Sequence, residues 1–133
     1  MIVVDSSVWI AHLRGEASPA TRMLHAIIAD HDDQILIGDL TLFEVLQGAR
    51  DEAHAVQIER ALRLFPVVSM LDVGLAIEAA RNYRLLRERG ITIRTTIDMI
   101  IGTFCLSFGH ALLHNDRDFE PMVAQIGLRI VAS

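Results

Sequence analysis

The chain lacks lysine altogether, holds one cysteine, and has few aromatic side chains: five Phe, one Trp and one Tyr in 133 residues. Each shortage excludes something. With Cys105 alone, no intrachain disulfide can form and no cysteine pair exists for a thiolate zinc site. That pattern fits a reducing compartment, so a cytoplasmic location is expected. So few aromatics leave little for a stacking platform on single-stranded nucleic acid. No apolar run is long enough to span a bilayer. The longest, Ile97 to Leu113, is broken by Asp98, Gly109 and His110, and it reads as a buried helix followed by a strand. The start, Met1-Ile-Val-Val-Asp5, has no basic flank and meets an acid at once, so no signal peptide is expected. A formal charge of −5 argues against a general nucleic-acid coat protein. Any nucleic-acid contact must be local or assisted by cations.

What is present is apolar bulk and arginine. Hydrophobic residues make up 52% of the chain, which implies a thick core, an oligomer surface, or both. All twelve basic residues are arginines, which suit phosphate forks, although coding bias explains them as well. A chain of this length fits one domain, residues 1–133, burying about two-thirds of its unfolded surface.

Short apolar runs alternate with helical patterns. Met1–Val4 reads as a buried strand ending at Asp5, and Ser6 and Ser7 offer caps for a helix over Val8–Arg14. Ser18-Pro19 opens a second helix that frays in Asp30–Asp33. Gln34–Ile37 is a second strand, Thr41 opens a helix ending near Gly48, and another helix runs from Asp51 to Leu64. Pro66–Met70 reads as a third strand. Asp72 caps a long helix to Arg89, and Thr95 or Thr96 caps one over Ile97–Phe108. Ala111–His114 is a strand, Phe119–Ile126 a short helix and Leu128–Val131 a last strand. This order predicts an α/β fold, a mostly parallel sheet between two helical layers. In such sheets, ligands bind beyond the C-terminal strand ends.

Four acids fall at that edge. Asp5 ends the first strand, Asp116 follows the strand Ala111–His114, and Glu44 and Asp98 lie in first helical turns. Two unit charges about 4 Å apart repel by roughly 4 kcal/mol at an effective dielectric near 20, so carboxylates gathered there need protons or a cation. Oxygen donors of this kind select Mg²⁺ or Mn²⁺. Such ions activate an attacking water and stabilise a leaving oxygen in phosphodiester cleavage.

Duller explanations exist for each acid. Asp5 can cap the helix after it. Glu44 matches the capping box Thr41-x-x-Glu44, and that structural reading is favoured before other signals enter. Asp98 complements a helix dipole, but its neighbours Ile97, Met99, Ile100 and Ile101 make an acid there demand a partner. Asp116 and Asp118 sit in a turn-like Asn115-Asp-Arg-Asp segment.

At these residues the chain resembles the PIN-domain ribonucleases, specifically the VapC toxins of VapBC toxin–antitoxin pairs. The matching pieces are Ile2-Val-Val-Asp5-Ser-Ser, Leu42-Phe-Glu44-Val-Leu-Gln-Gly48, Gly90-Ile-Thr-Ile-Arg-Thr-Thr-Ile-Asp98-Met-Ile-Ile and His114-Asn-Asp116-Arg-Asp118-Phe119. They span nearly the whole chain in the family's order. The resemblance implies a three-layer α/β/α fold and Mg²⁺- or Mn²⁺-dependent endonucleolytic cleavage of RNA. It puts Asp5, Glu44, Asp98 and Asp116 on the family's acidic positions as catalytic residues and metal ligands, with Asp5 and Asp98 foremost. It also implies a homodimer, a VapB-type antitoxin partner covering the active groove, and prokaryotic cytoplasm. Asp118 competes with Asp116 for the fourth place. Ser6 and Asn115 are candidates for orienting the carboxylates. Arg117, beside the acids, is the single arginine best placed by sequence for a phosphate. His114, where the family often has a small hydroxyl residue, is read as packing or a simple hydrogen bond.

The arginines Arg81, Arg84 and Arg87 recur at helical spacing, with Arg89 and Arg94 following. They form either a phosphate-attracting face or, slightly preferred, a solvated face paired with Glu78 and Glu88. Trp9 is expected in the core or a dimer surface, and Cys105 as inert filler. Two rival functions remain. A strand-end Asp also occurs in phosphotransferases that form an aspartyl-phosphate. Those related to the haloacid dehalogenases carry a second Asp two residues on, where this chain has Ser7, and they need a lysine that it lacks. A PIN-like module that binds RNA or a partner without catalysis would not need all four acids.

Overall fold

Alternation along each strand decides which layer a residue joins. Val3, Leu36 and Leu112 face one side of the sheet, and their neighbours Val4, Ile35, Ile37 and Leu113 face the other. All seven are buried, so both faces must be covered. The computed structural model describes residues 1–133 and shows how the helices do this.

The strands are β1 (Ile2–Val4), β2 (Ile35–Gly38), β3 (Val67–Val68) and β4 (Ala111–Leu113). They pair in the order β3-β2-β1-β4, every pair parallel, with Val3 opposite Leu36 on one side and Leu112 on the other. Helices α1 (Ser6–Leu13), α2 (Pro19–His31), α3 (Asp39–Gln47) and α4 (Glu52–Leu62) supply the core on one face, including Val8, Trp9, Leu24, Val45 and Ile58. Helices α5 (Val73–Glu88), α6 (Thr96–Phe108) and α7 (Glu120–Ile126) supply the other, with Leu75, Leu86, Ile101, Phe104 and Met122. The expected three-layer α/β/α sandwich is therefore the observed fold. Full burial of each such side chain contributes about 1.5–3 kcal/mol.

Local chemistry fixes the helix ends. Ser18 and Thr21 cap α2 reciprocally ahead of Pro19. Asp51 and Asp72 accept from the amides of His54 and Leu75 at the starts of α4 and α5, both at 2.8 Å. Gly109 closes α6 with φ 70°, a left-handed conformation that favours glycine. Trp9 lies in the core with its ring centroid 5.7 Å from that of Phe65. Cys105 is fully buried, and burial pushes its thiol up to about 12, so it is inert filler as expected. No helix is long and apolar enough to cross a membrane.

Three local expectations change. The third strand shrinks from Pro66–Met70 to two residues, because Met70 leaves the ladder, its amide donating to Asp39 Oδ1 at 3.0 Å. The last strand, expected over Leu128–Val131, survives as a single parallel bridge between Leu112 and Ile130, on a partly exposed edge that gives little to pack against. Helix α3 begins at Asp39, with Gly38 at the N-cap position and no side-chain cap, so Thr41 is not a cap.

The topology also locates a crevice. From β1 the chain moves outward to β2 and β3 on one side, and β4 returns to the other side of β1. Strand order reverses between β1 and β4. The C-terminal ends of those two strands are where a parallel α/β sheet opens a binding crevice.

Candidate active site

Asp5 and Asp116 leave the sheet at this reversal point. The Asp5 amide donates to the Leu113 carbonyl at 2.9 Å, so the end of β1 is pinned against the end of β4. Asp5 is 2% exposed and caps α1. Its Oδ2 accepts from the Ser7 amide at 3.1 Å and the Ser7 hydroxyl at 2.6 Å. Its Oδ1 is buried and has no partner. A buried carboxylate oxygen without a donor is costly unless something cationic faces it.

The neighbouring elements aim their acids at the same place. Glu44 stands in the second turn of α3, one turn beyond the position expected, and Ser6 Oγ donates to its Oε1 at 3.0 Å. The capping-box reading of Glu44 fails because α3 starts before Thr41, whose hydroxyl is buried with no partner. Asp98 lies in the first turn of α6, its amide donating to the Thr95 carbonyl at 3.1 Å, and is 5% exposed. Asp116 accepts from the Asp118 amide at 2.9 Å, and its own amide donates to His114 Nδ1 at 3.2 Å. Ligand oxygens of Asp98, Asp116 and Asp118 lie within 4.8 Å of one another. Asp118 thus joins Asp98 and Asp116 in one group, while Asp5 and Glu44 fall outside that trio and reach it through their charges on Asp98.

Electrostatics record the convergence. Burial first, then the charges of Asp5, Asp116, Glu44 and Asp118, push the Asp98 carboxyl up to about 7. Burial raises Asp5 as well, opposed by its bonds to Ser7 and reinforced by Asp116. Glu44 is raised by burial, offset partly by Ser6, with Asp5 and Asp116 adding to the rise. In the absence of a cation the cluster holds protons it would shed in water.

The flanking residues divide into two groups. Ser6 hydrogen-bonds Glu44, and Ser7, which the sequence pattern does not single out, bonds Asp5. Its hydroxyl donates to Asp5 and accepts from the Asn115 amide at 3.1 Å, stitching the β1 end to the loop after β4. A serine two residues after a strand-end Asp is the available signal, and two adjacent serines concealed which one did the work. Asn115 contributes this amide, and the structure gives its side chain no bond to any acid. His114 packs its ring on Phe119, centroids 5.0 Å apart, and braces the loop as a simple hydrogen-bond acceptor. Arg117 is exposed at the rim of a shallow polar hollow with His114, Asn115, Asp116 and Glu120, and makes no ion pair. The arginine that reaches the acids is Arg94, with Nη2 3.2 Å from Asp118 Oδ1. In the arginine row of α5, Arg81 pairs with Glu78 and Arg87 lies over the Tyr83 ring, Arg89 just beyond the helix binds Gln125, and Arg84 and Glu88 make no ion pair.

Comparison with known proteins agrees with this geometry. VapC ribonuclease Mb1587 of Mycobacterium bovis is 28% identical over 126 residues, covering 95% of this chain and 93% of that protein. Ribonuclease VapC19 of Mycobacterium tuberculosis is 28% identical over 123 residues, covering 92% and 94%. Among solved structures, VapBC2 from Rickettsia felis, bound to a DNA fragment from its promoter, superposes with a TM-score of 0.76 at 12% identity over 98% of both chains. The profile of the PIN domain family matches residues 2–123, and with the acids gathered at the reversal point of a parallel sheet, the chain belongs to the PIN domain family.

Proposed function

We propose that the chain is a divalent-metal-dependent endoribonuclease, and the toxin of a VapBC-type toxin–antitoxin pair. One observation carries the metal reading: Asp5 Oδ1 is buried without a partner, among carboxylates where burial first and mutual repulsion second raise Asp98 to about 7. The donor set is all oxygen, which fits Mg²⁺ or Mn²⁺ and disfavours zinc or copper. Asp5 and Asp98 are the foremost ligands, with Asp116 and Glu44 completing the anionic wall. When bound, a divalent ion lowers the pKa of a coordinated water and offsets charge on the leaving oxygen.

The chain's own residues do the rest. Ser7 fixes the Asp5 carboxylate by two hydrogen bonds, leaving Oδ1 as its free donor atom. Ser6 holds Glu44 by a single bond, its hydroxyl donating to Oε1. Holding the acids on rigid element ends, rather than on mobile loops, means that little reorganisation accompanies charge development in the transition state.

The relatives named as VapC ribonucleases support RNA as substrate, and the VapBC structural neighbour supports a VapB-type antitoxin as partner. A homodimer fits the apolar side chains left at the surface, such as Phe43, Leu64, Val73 and Ile77. The decisive experiment incubates total RNA with the protein in Mg²⁺ or Mn²⁺, in chelator, and with Asp5→Asn. Cleavage only for the wild type with metal is expected. RNA left equally intact in all arms would sink the proposal.

A further inference from the structure

Resting on the reading that the cluster cleaves RNA phosphodiesters, we propose that Arg94 grips the substrate phosphate. Asp118 is then a positioning residue that acts through Arg94, rather than a ligand of the ion.

Of the twelve arginines, Arg94 alone forms an ion pair with an acid of the cluster. It lies immediately before Thr95, the cap of the helix that carries Asp98, so its backbone is tied to that acid's own position. Its side chain is 81% exposed while that of Asp118 is 18% exposed, so the pair spans the mouth of the site. Exposed pairs contribute little to stability, so fold stability is a poor reason for this one. Asp118 Oδ1 engages one guanidinium nitrogen, leaving most of the five N–H donors free to fork onto a phosphate. Asp116 as well as Asp118 acts on the Arg94 guanidinium, which therefore stands solvent-exposed at the acid-lined mouth of the site.

The two neighbouring acids are therefore unlike. Asp116 receives the backbone amide of Asp118, so its side chain orders the loop beside Asp98. Asp118 already has a permanent cation on Oδ1. That guanidinium balances charge where a second ion would otherwise be needed. It also supplies, in an acidic chain, the local cation that a phosphodiester requires.

Two measurements test this, one without RNA. In calorimetric titration with Mn²⁺ alone, Asp118→Asn should stay within about 3-fold of the wild-type affinity, and Arg94→Gln should bind equally or more tightly because a nearby positive charge is gone. Asp98→Asn should lose binding. In RNA cleavage with Mn²⁺, Arg94→Gln should lower kcat/KM about 100-fold and flatten its dependence on log salt by about 0.7, one phosphate contact on a single strand. Asp118→Asn should lower kcat/KM about 10-fold, and the double variant should be no worse than Arg94→Gln alone. Arg63→Gln, at the C-terminal cap of α4 and paired only with Glu59 of that helix, should match the wild type. The proposal is overturned if Asp118→Asn loses Mn²⁺ as Asp98→Asn does, if the two losses multiply, or if Arg117→Gln rather than Arg94→Gln flattens the salt dependence. Failure of the nuclease reading has a different signature, a wild type that cleaves nothing. The Mn²⁺ titrations would then still decide whether Asp118 is a ligand.

Discussion

Replacing Asp98 by Asn should stabilise the metal-free protein, an unusual result for a buried polar position. Asp98 is raised from 3.8 to about 7, a change of roughly 3 pH units. At about 1.4 kcal/mol per unit this amounts to about 4 kcal/mol as an upper bound, and solvent screening at the mouth of the site brings it nearer 2 kcal/mol. The pH dependence has a definite sign. Below about pH 4 Asp98 is protonated both folded and unfolded, and no penalty exists. Between about 4 and 7 the unfolded chain has ionised while the folded protein holds the proton, so stability falls as pH rises. Above 7 both are ionised and the penalty is constant. The Asn variant carries none of this, so its advantage should grow from near zero at pH 4 to about 2–4 kcal/mol at pH 8, roughly 10 °C in Tm. Urea unfolding followed by circular dichroism in chelator, at both pH values, measures it. Adding Mn²⁺ at 100 times its Kd should restore about 2.7 kcal/mol to the wild type and nothing to the variant. An Asn variant no more stable than the wild type at pH 8 in chelator would refute the claim that burial and the neighbouring acids penalise an ionised Asp98.

Ser7→Ala removes both the 2.6 Å donor to Asp5 and the acceptor for the Asn115 amide. Urea unfolding should register a loss of about 1–3 kcal/mol, and RNA cleavage should fall at least about 10-fold. Leu24→Ala, fully buried in α2 far along the chain from the acids, should cost about 2–5 kcal/mol in the same assay without changing Mn²⁺ affinity in the folded protein. Cys105, with its thiol near 12 and no exposure, should resist a thiol reagent at pH 8 in native buffer and react promptly in urea.

The sheet was readable because burial on both faces imposes a pattern on short runs. Ile35-Leu36-Ile37 has no polar position to misread, and turn residues bound it. The outer edges were not readable. Val67 and Ile130 sit where pairing is one-sided and exposure returns, and an apolar sequence alone does not reveal how many ladder bonds form. Glu44 falls one turn later than expected because Thr-x-x-Glu looks the same whether Thr begins a helix or lies inside one, and the start after Gly38 carries no side-chain cap to mark it.

The site followed similar limits. That Asp5 and Asp98 lie buried and close enough to act on each other was legible from strand-end position and apolar surroundings, features local to the sequence. Arg94 was not. Its partner lies 24 residues away, and the loop that carries it has no periodicity. Arg117 was preferred for adjacency along the chain, whereas the fold brings a different arginine into contact.

Calorimetric titration of Mn²⁺ into the metal-free protein at pH 7, in two buffers of different ionisation enthalpy, tests the central claim most directly. Asp98 titrates near that pH, so the ion should displace about half a proton from it on binding. Asp5→Asn, which removes the buried carboxylate whose Oδ1 has no partner, should bind at least about 100-fold more weakly. Binding to the wild type with no proton release, and unchanged by Asp5→Asn, would contradict a cation site built on these carboxylates.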